Sequence, residues 1–243
     1  TEANPASKAN LWLNGKLSAD GSVEPVKYWT NEKDLYSFAA YAPKDDNNLT
    51  VPTANVIGDP VIKYTVYETP TTQIDLLYAS ALNQKKPTTS DAGVELKFNH
   101  ALSRLTVTAE SQVTEEEGFG YTITDITVSG GFYTSGDLNL MTGAWSNQTT
   151  AGESGTSYTI LKDGESVLST TKVDYATTEN GANNYLMFIP TANEIKVNVT
   201  YTISYAGEVS LPNEKSFTIT PEGGFKTGFA YAVNLKFMVD QSN

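Results

Sequence analysis

His100 is the only histidine in the 243 residues, and no cysteine accompanies it. An imidazole titrating near neutrality can serve as general base or metal ligand, but it needs partners to do either. No Gly-x-Ser-x-Gly elbow occurs, so a serine relay has no nucleophile placed for it. A carboxylate pair could hydrolyse glycosides, yet nothing in the pattern of 28 acidic residues singles out two of them. Glu115-Glu116-Glu117 and Asp45-Asp46 lack the alternate spacing and glycine of a calcium loop. They read as solvated charge. No cofactor or metal is expected, and the chain is read as a non-enzyme. Trp12, Trp29 and Trp145 are the tryptophans, and an exposed indole can stack on a sugar ring. Trp145, in the Gly/Ser/Thr-rich run 142–157, is the candidate glycan contact, with ordinary packing as the alternative.

The elements that would position these residues are strands. Val94, Leu96 and Phe98 alternate with Glu95, Lys97 and Asn99, a half-buried strand pattern. His100 shares the apolar parity, which predicts a buried imidazole. Beyond it Leu105, Val107 and Ala109 take the opposite parity, so a bulge or break is expected within His100–Arg104. Tyr121–Ser129 carries a similar parity switch. Ile195–Tyr205 alternates throughout, Ile, Val and Tyr on one face and Lys, Asn, Thr and Ser on the other. Phe217–Thr220 should pair back onto it, and Tyr231–Val239 closes the series. Many short strands between turn residues predict an all-β, antiparallel sandwich. The polar stretch 83–92 suggests a boundary between an N-terminal β module, 1–92, and a C-terminal β-sandwich module, 93–243.

The formal charge of −12 argues against nucleic acid and anionic lipid as partners. No apolar run reaches the length of a membrane span. The opening TEANPASKAN lacks the basic and apolar regions of a signal peptide.

The run Leu96, Phe98, His100, Leu102, Arg104, Leu105, Val107 resembles the hallmark strand of the fimbrillin-like (Mfa-like) proteins of Bacteroidales. Three further stretches resemble that family in order. They are 28–43, with Trp29, Phe38, Tyr41 and Pro43; 73–80, with Asp75 and Leu76; and 224–237, GFKTGFAYAVNLKF. The resemblance implies transthyretin-like Greek-key sandwiches and a cell-surface, outer-membrane location. It also implies a lipid anchor on an N-terminal cysteine removed from this chain. Its implied work is that of a fimbrial subunit or adhesin joining other subunits by strand addition, with Val233, Leu235, Phe237 and Val239, and the region near Leu11–Leu13, as candidate assembly strands. Arg104, the only arginine, lies within a strand and is a poor maturation site. Two other readings stay open: a surface module capturing host or bacterial glycans, and a hydrolase using a carboxylate pair.

Overall fold

Two compact units, each assembled from three chain segments, make up the protein. Unit 1 comprises 1–65, 75–101 and 135–148; unit 2 comprises 66–74, 102–134 and 149–243. The computed structural model describes residues 15–26, 28–29, 34–51, 58–89, 93–113, 118–152, 155–178 and 181–238. Leu11–Leu13, Trp12, Glu115–Glu117 and Val239 lie outside them. The stretch 83–92, where the sequence suggests a boundary, falls inside the second segment of unit 1.

In unit 1, β1 (Lys16–Leu17) and β2 (Val23–Glu24) form a short antiparallel pair. A second sheet runs β3 (Tyr36–Ala42), β6 (Leu77–Gln84), β7 (Asn99–His100). A third has the order β11 (Trp145–Thr150), β10 (Tyr133–Asn139), β5 (Val61–Thr65), β4 (Leu49–Thr50). The last residues of β11 and the first two of β10 belong to unit 2. β5 shows why alternation makes a strand: Ile62 and Tyr64 are buried while Val61, Lys63 and Thr65 face solvent.

Unit 2 is a sandwich of two sheets. One has β9 (Phe119–Gly130) paired with β16 (Ile195–Tyr205), flanked by β12 (Thr156–Leu161) and β13 (Ser166–Val167) beside β9, and by β17 (Glu208–Val209) and β18 (Asn213–Ile219) beside β16. The other centres on β8 (Ser103–Ser111), with β14 (Val173–Asp174) and β15 (Leu186–Phe188) antiparallel to it and β19 (Ala230–Phe237) parallel to it. Leu105, Val107, Ala109, Leu186 and Phe188 on one sheet and Ile123, Ile126, Val128, Val197 and Val199 on the other are all buried. Phe237 bridges the layers, 5.2 Å from the Tyr121 ring and 5.0 Å from Tyr201. A chain of edge-on rings, Tyr158–Phe132–Phe188–Phe225–Tyr231, continues this core at centroid spacings between 4.9 and 5.2 Å.

β16 occupies the predicted eleven residues, and β18 pairs back to it as expected. The parity switch in β9 is a bulge: Thr200 faces Asp125 but Tyr201 faces Ile123, which leaves Thr124 extra. Gly130, at φ +136°, lets β9 end against β16, since a Cβ there would stand 2.6 Å from the Glu194 carbonyl.

The strand expected through His100 is not one element. Residues 94–98 take no strand pairing, and Phe98 is 42% exposed. β7 belongs to unit 1 and β8 to unit 2. The parity change therefore marks the chain passing between units at Ala101–Leu102, both buried, instead of a bulge in one strand. The run 142–157, read as a loop, contains β11 and the start of β12.

Candidate functional site: an open strand edge

The closing motif 224–237 forms β19 and the turn that delivers it. Tyr231 sets that turn, its hydroxyl accepting from the Lys226 N–H at 2.9 Å, while the Ser103 hydroxyl donates to the Lys226 carbonyl at 2.9 Å. The strand then pairs in register from Ala230 opposite Arg104 to Phe237 opposite Ser111. Tyr231, Val233, Leu235 and Phe237 point inward; Ala230, Ala232, Asn234 and Lys236 are exposed. The predicted assembly residues Val233, Leu235 and Phe237 therefore share the core face, with Val233 and Phe237 only half-buried because the sheet ends beside them.

On the solvent face, side chains tie β19 to β8. Thr108 donates to Asn234 Oδ1 at 3.1 Å, Asn234 Nδ2 donates to Glu110 at 3.0 Å, and Lys236 Nζ stands 3.3 Å from the same carboxylate. The Asn234 amide first, and then the Lys236 ammonium, hold the Glu110 carboxyl below its ordinary value of 4.5. Among the described residues no strand pairs with the other edge of β19. Its eight residues contain no proline and one charge, so the usual guards of an edge strand are sparse.

His100 is not the buried imidazole that parity predicts. Its side chain is 60% exposed, with Nδ1 2.8 and 3.0 Å from the two oxygens of Asp75. The reason is local: β7 pairs with β6 at Leu77, which carries His100 to the outside while Leu76 beneath is fully buried and accepts from the Ala101 N–H. Sequence reading placed Asp75 and His100 in separate motifs and missed the pair; two polar motif residues without partners were the available signal. No third His, Asp or Glu joins them among the described residues.

Leu102 and Leu105 are buried, and Arg104 is exposed with its guanidinium 5.2 Å from the Tyr185 ring centre. β8 is paired along both sides at Arg104, with Met187 and with Ala230. Trp29 is half-buried and packs on Tyr36 and Phe38 at 5.0 and 5.7 Å. Burial, then Asp45, raise the half-buried Tyr41 hydroxyl, and Pro43 ends β3. Trp145 is no exposed platform: it is half-buried, its indole N–H donates to the Ala101 carbonyl at 2.9 Å, and its ring lies 6.4 Å from Tyr64.

The fimbrillin-like family matches residues 1–242. The chain belongs to the fimbrillin-like family. This fimbrillin-like protein is similar in structure to a fimbrial protein from Bacteroides vulgatus, with a TM-score of 0.58 and 16% identity over 91% of this chain and 79% of that one. A candidate cell adhesion protein from Bacteroides ovatus gives a TM-score of 0.46 and 18% identity, covering 90% of this chain and 70% of that one. The shared fold rests on the first of these. No curated protein matches the chain significantly.

Three outcomes follow for the fimbrillin-like protein. His100→Ala should shift the unfolding free energy by less than about 1 kcal/mol, as exposed pairs do. Leu105→Ala should cost about 2–5 kcal/mol; chemical denaturation compares the two. The depressed Glu110 carboxyl stabilises the fold fully above its ordinary value of 4.5, and that contribution is lost as pH falls through the lower folded value. Denaturation midpoints of Glu110→Gln should therefore lie below wild type at neutral pH and converge with it in acid.

Proposed function

We propose that this protein is a cell-surface fimbrial subunit or adhesin that joins its neighbours by β-strand addition along the outer edge of β19. Family membership supports a fimbrial or adhesive role at the cell surface, and a structural family speaks for binding and assembly over turnover. The observation that carries the strand-addition reading is that β19 is paired on one side only among the described residues. An added strand would satisfy a row of backbone donors and acceptors and cover the remaining exposure of Val233 and Phe237. Each fully buried apolar side chain of that size stabilises by about 1.5–3 kcal/mol, so even the partial gain here is useful. Other subunits are the partners this reading names. The transthyretin-like topology, the lipid anchor on an N-terminal cysteine and the outer-membrane location belong to the same proposal.

The charge of −12 fits a surface protein that must stay soluble until a specific edge is engaged. Lysines on an edge strand block pairing without disturbing the core. The double substitution Ala230→Lys, Ala232→Lys alters two exposed positions of β19. Light scattering coupled to size exclusion, before and after limited proteolysis, should show oligomers or rods for wild type. The double variant should remain a 26.3 kDa monomer with an unchanged thermal midpoint. A wild-type chain that stays monomeric throughout, or a variant that assembles as readily, would overturn strand addition at β19.

A further inference from the structure

Among the described residues, the longer strands that end a sheet of unit 2 are β12, β18 and β19. They are not equally open. β12 breaks its register between Thr159 and Leu161, and β18 carries Glu214 and Lys215 side by side; both devices blunt an edge. On the far side of β8, the short β15 has its Met187 N–H taken by Gln73 Oε1. β19 keeps an unbroken register over its eight residues.

The ladder fixes where its backbone groups point. The Phe229 and Phe237 carbonyls accept from the Arg104 and Gln112 N–H groups at 3.0 and 2.8 Å. Odd-numbered residues therefore turn toward β8, and Ala230, Ala232, Asn234 and Lys236 turn their N–H and C=O away from it. Counted outward from Val233, the inward parity reads Tyr231 and Leu235, then Phe229 and Phe237. Apart from Tyr231 against Leu235 the row is a palindrome. Its incompletely covered members fit that symmetry: Val233 at the centre and Phe237 at one end are half-buried, and Phe229 at the other end is 57% exposed.

We infer that β19 pairs antiparallel with β19 of a second copy, about a two-fold axis through Val233. The inference rests on the strand-addition reading and names its partner. In this register Ala232 meets Asn234 and Ala230 meets Lys236, which are the residues whose backbone groups point outward. The two Val233 side chains meet in the non-hydrogen-bonded pair between them, where side chains stand closer. Phe229 of each copy lies opposite Phe237 of the other, so both ends of the ladder gain an aromatic pair. Moving the axis onto Ala232 or Asn234 breaks that match at both ends. Charge agrees: the only charge on the strand, Lys236, stays 3.3 Å from its own Glu110 and faces an alanine. In a chain of net charge −12, β19 thus brings no acid of its own against its copy. The contact closes on itself, so it makes pairs and leaves longer growth to another surface.

The chain has no cysteine, so a single introduced one can cross-link only to another copy. Opposed residues of a non-hydrogen-bonded pair have Cα atoms about 4.5 Å apart, within the disulfide range of about 4.4–6.8 Å. Oxidation with diamide should therefore capture Val233→Cys as a covalent dimer. Ala232→Cys and Asn234→Cys each stand roughly 8–9 Å from their own copies in this register, and each alone should yield about tenfold less dimer. A mixture of those two should cross-link as Val233→Cys does, which carries the test on exposed positions alone. Self-cross-linking of Ala232→Cys or Asn234→Cys in place of Val233→Cys overturns the inference. If wild type assembles, Ala230→Lys, Ala232→Lys stays monomeric and none of these cysteines cross-links, another edge fills β19: two-fold pairing falls and strand addition stands. A wild type that never assembles overturns both.

Discussion

The eight-residue parallel ladder between β8 and β19 is the interaction on which the rest of unit 2 depends. Among the described residues β8 alone meets β14, β15 and β19, and its inward residues supply one wall of the sandwich core. Parallel pairing is slightly weaker per residue than antiparallel pairing. Side chains reinforce it: Thr108, Asn234, Glu110 and Lys236 form a rung outside, and Phe237 with Tyr121 and Tyr201 locks the layers inside. Pairing along one edge orders β19, and among the described residues its opposite edge has no partner strand. For the proposed strand addition that order matters, because ordering a loose strand would consume much of the pairing energy.

The two sheets of unit 2 offer neighbours different chemistry. The β19 edge presents backbone donors and acceptors with half-buried apolar side chains behind them. The outer face of β9, β16 and β18 presents hydroxyls around Asn198 with its own pairing complete. Among the described residues the first has one edge that no strand pairs, and the second is a face whose strands are already paired. The single histidine takes part in neither: it pairs with Asp75 on the outside of unit 1.

Faces were legible in the sequence where alternation ran without interruption. Ile195–Tyr205 gave its length and both faces, because a sheet packed on one side sorts side chains by parity. The bulge at Thr124 was legible for the same reason, since an extra residue leaves a parity change behind it. Residues 94–98 show the limit. They alternate but do not pair, so the parity that predicted a buried His100 had no sheet to refer to. Partners were not legible: periodicity tells which side of β19 faces the core and nothing about β8 lying parallel beside it. The interleaving of the two units was hidden likewise, because it depends on contacts between segments far apart in the chain. β11 was missed because WSNQTT, an edge strand, has no apolar alternation to show.

Backbone amide exchange, compared between the monomer and an assembled fraction, tests the central claim most directly. The account predicts that β19 amides pointing away from β8 exchange quickly in the monomer and become protected on assembly, while those facing β8 are slow in both. Assembly that protects the edge of β12, β18 or β11 and leaves the outward amides of β19 exchanging freely would contradict it.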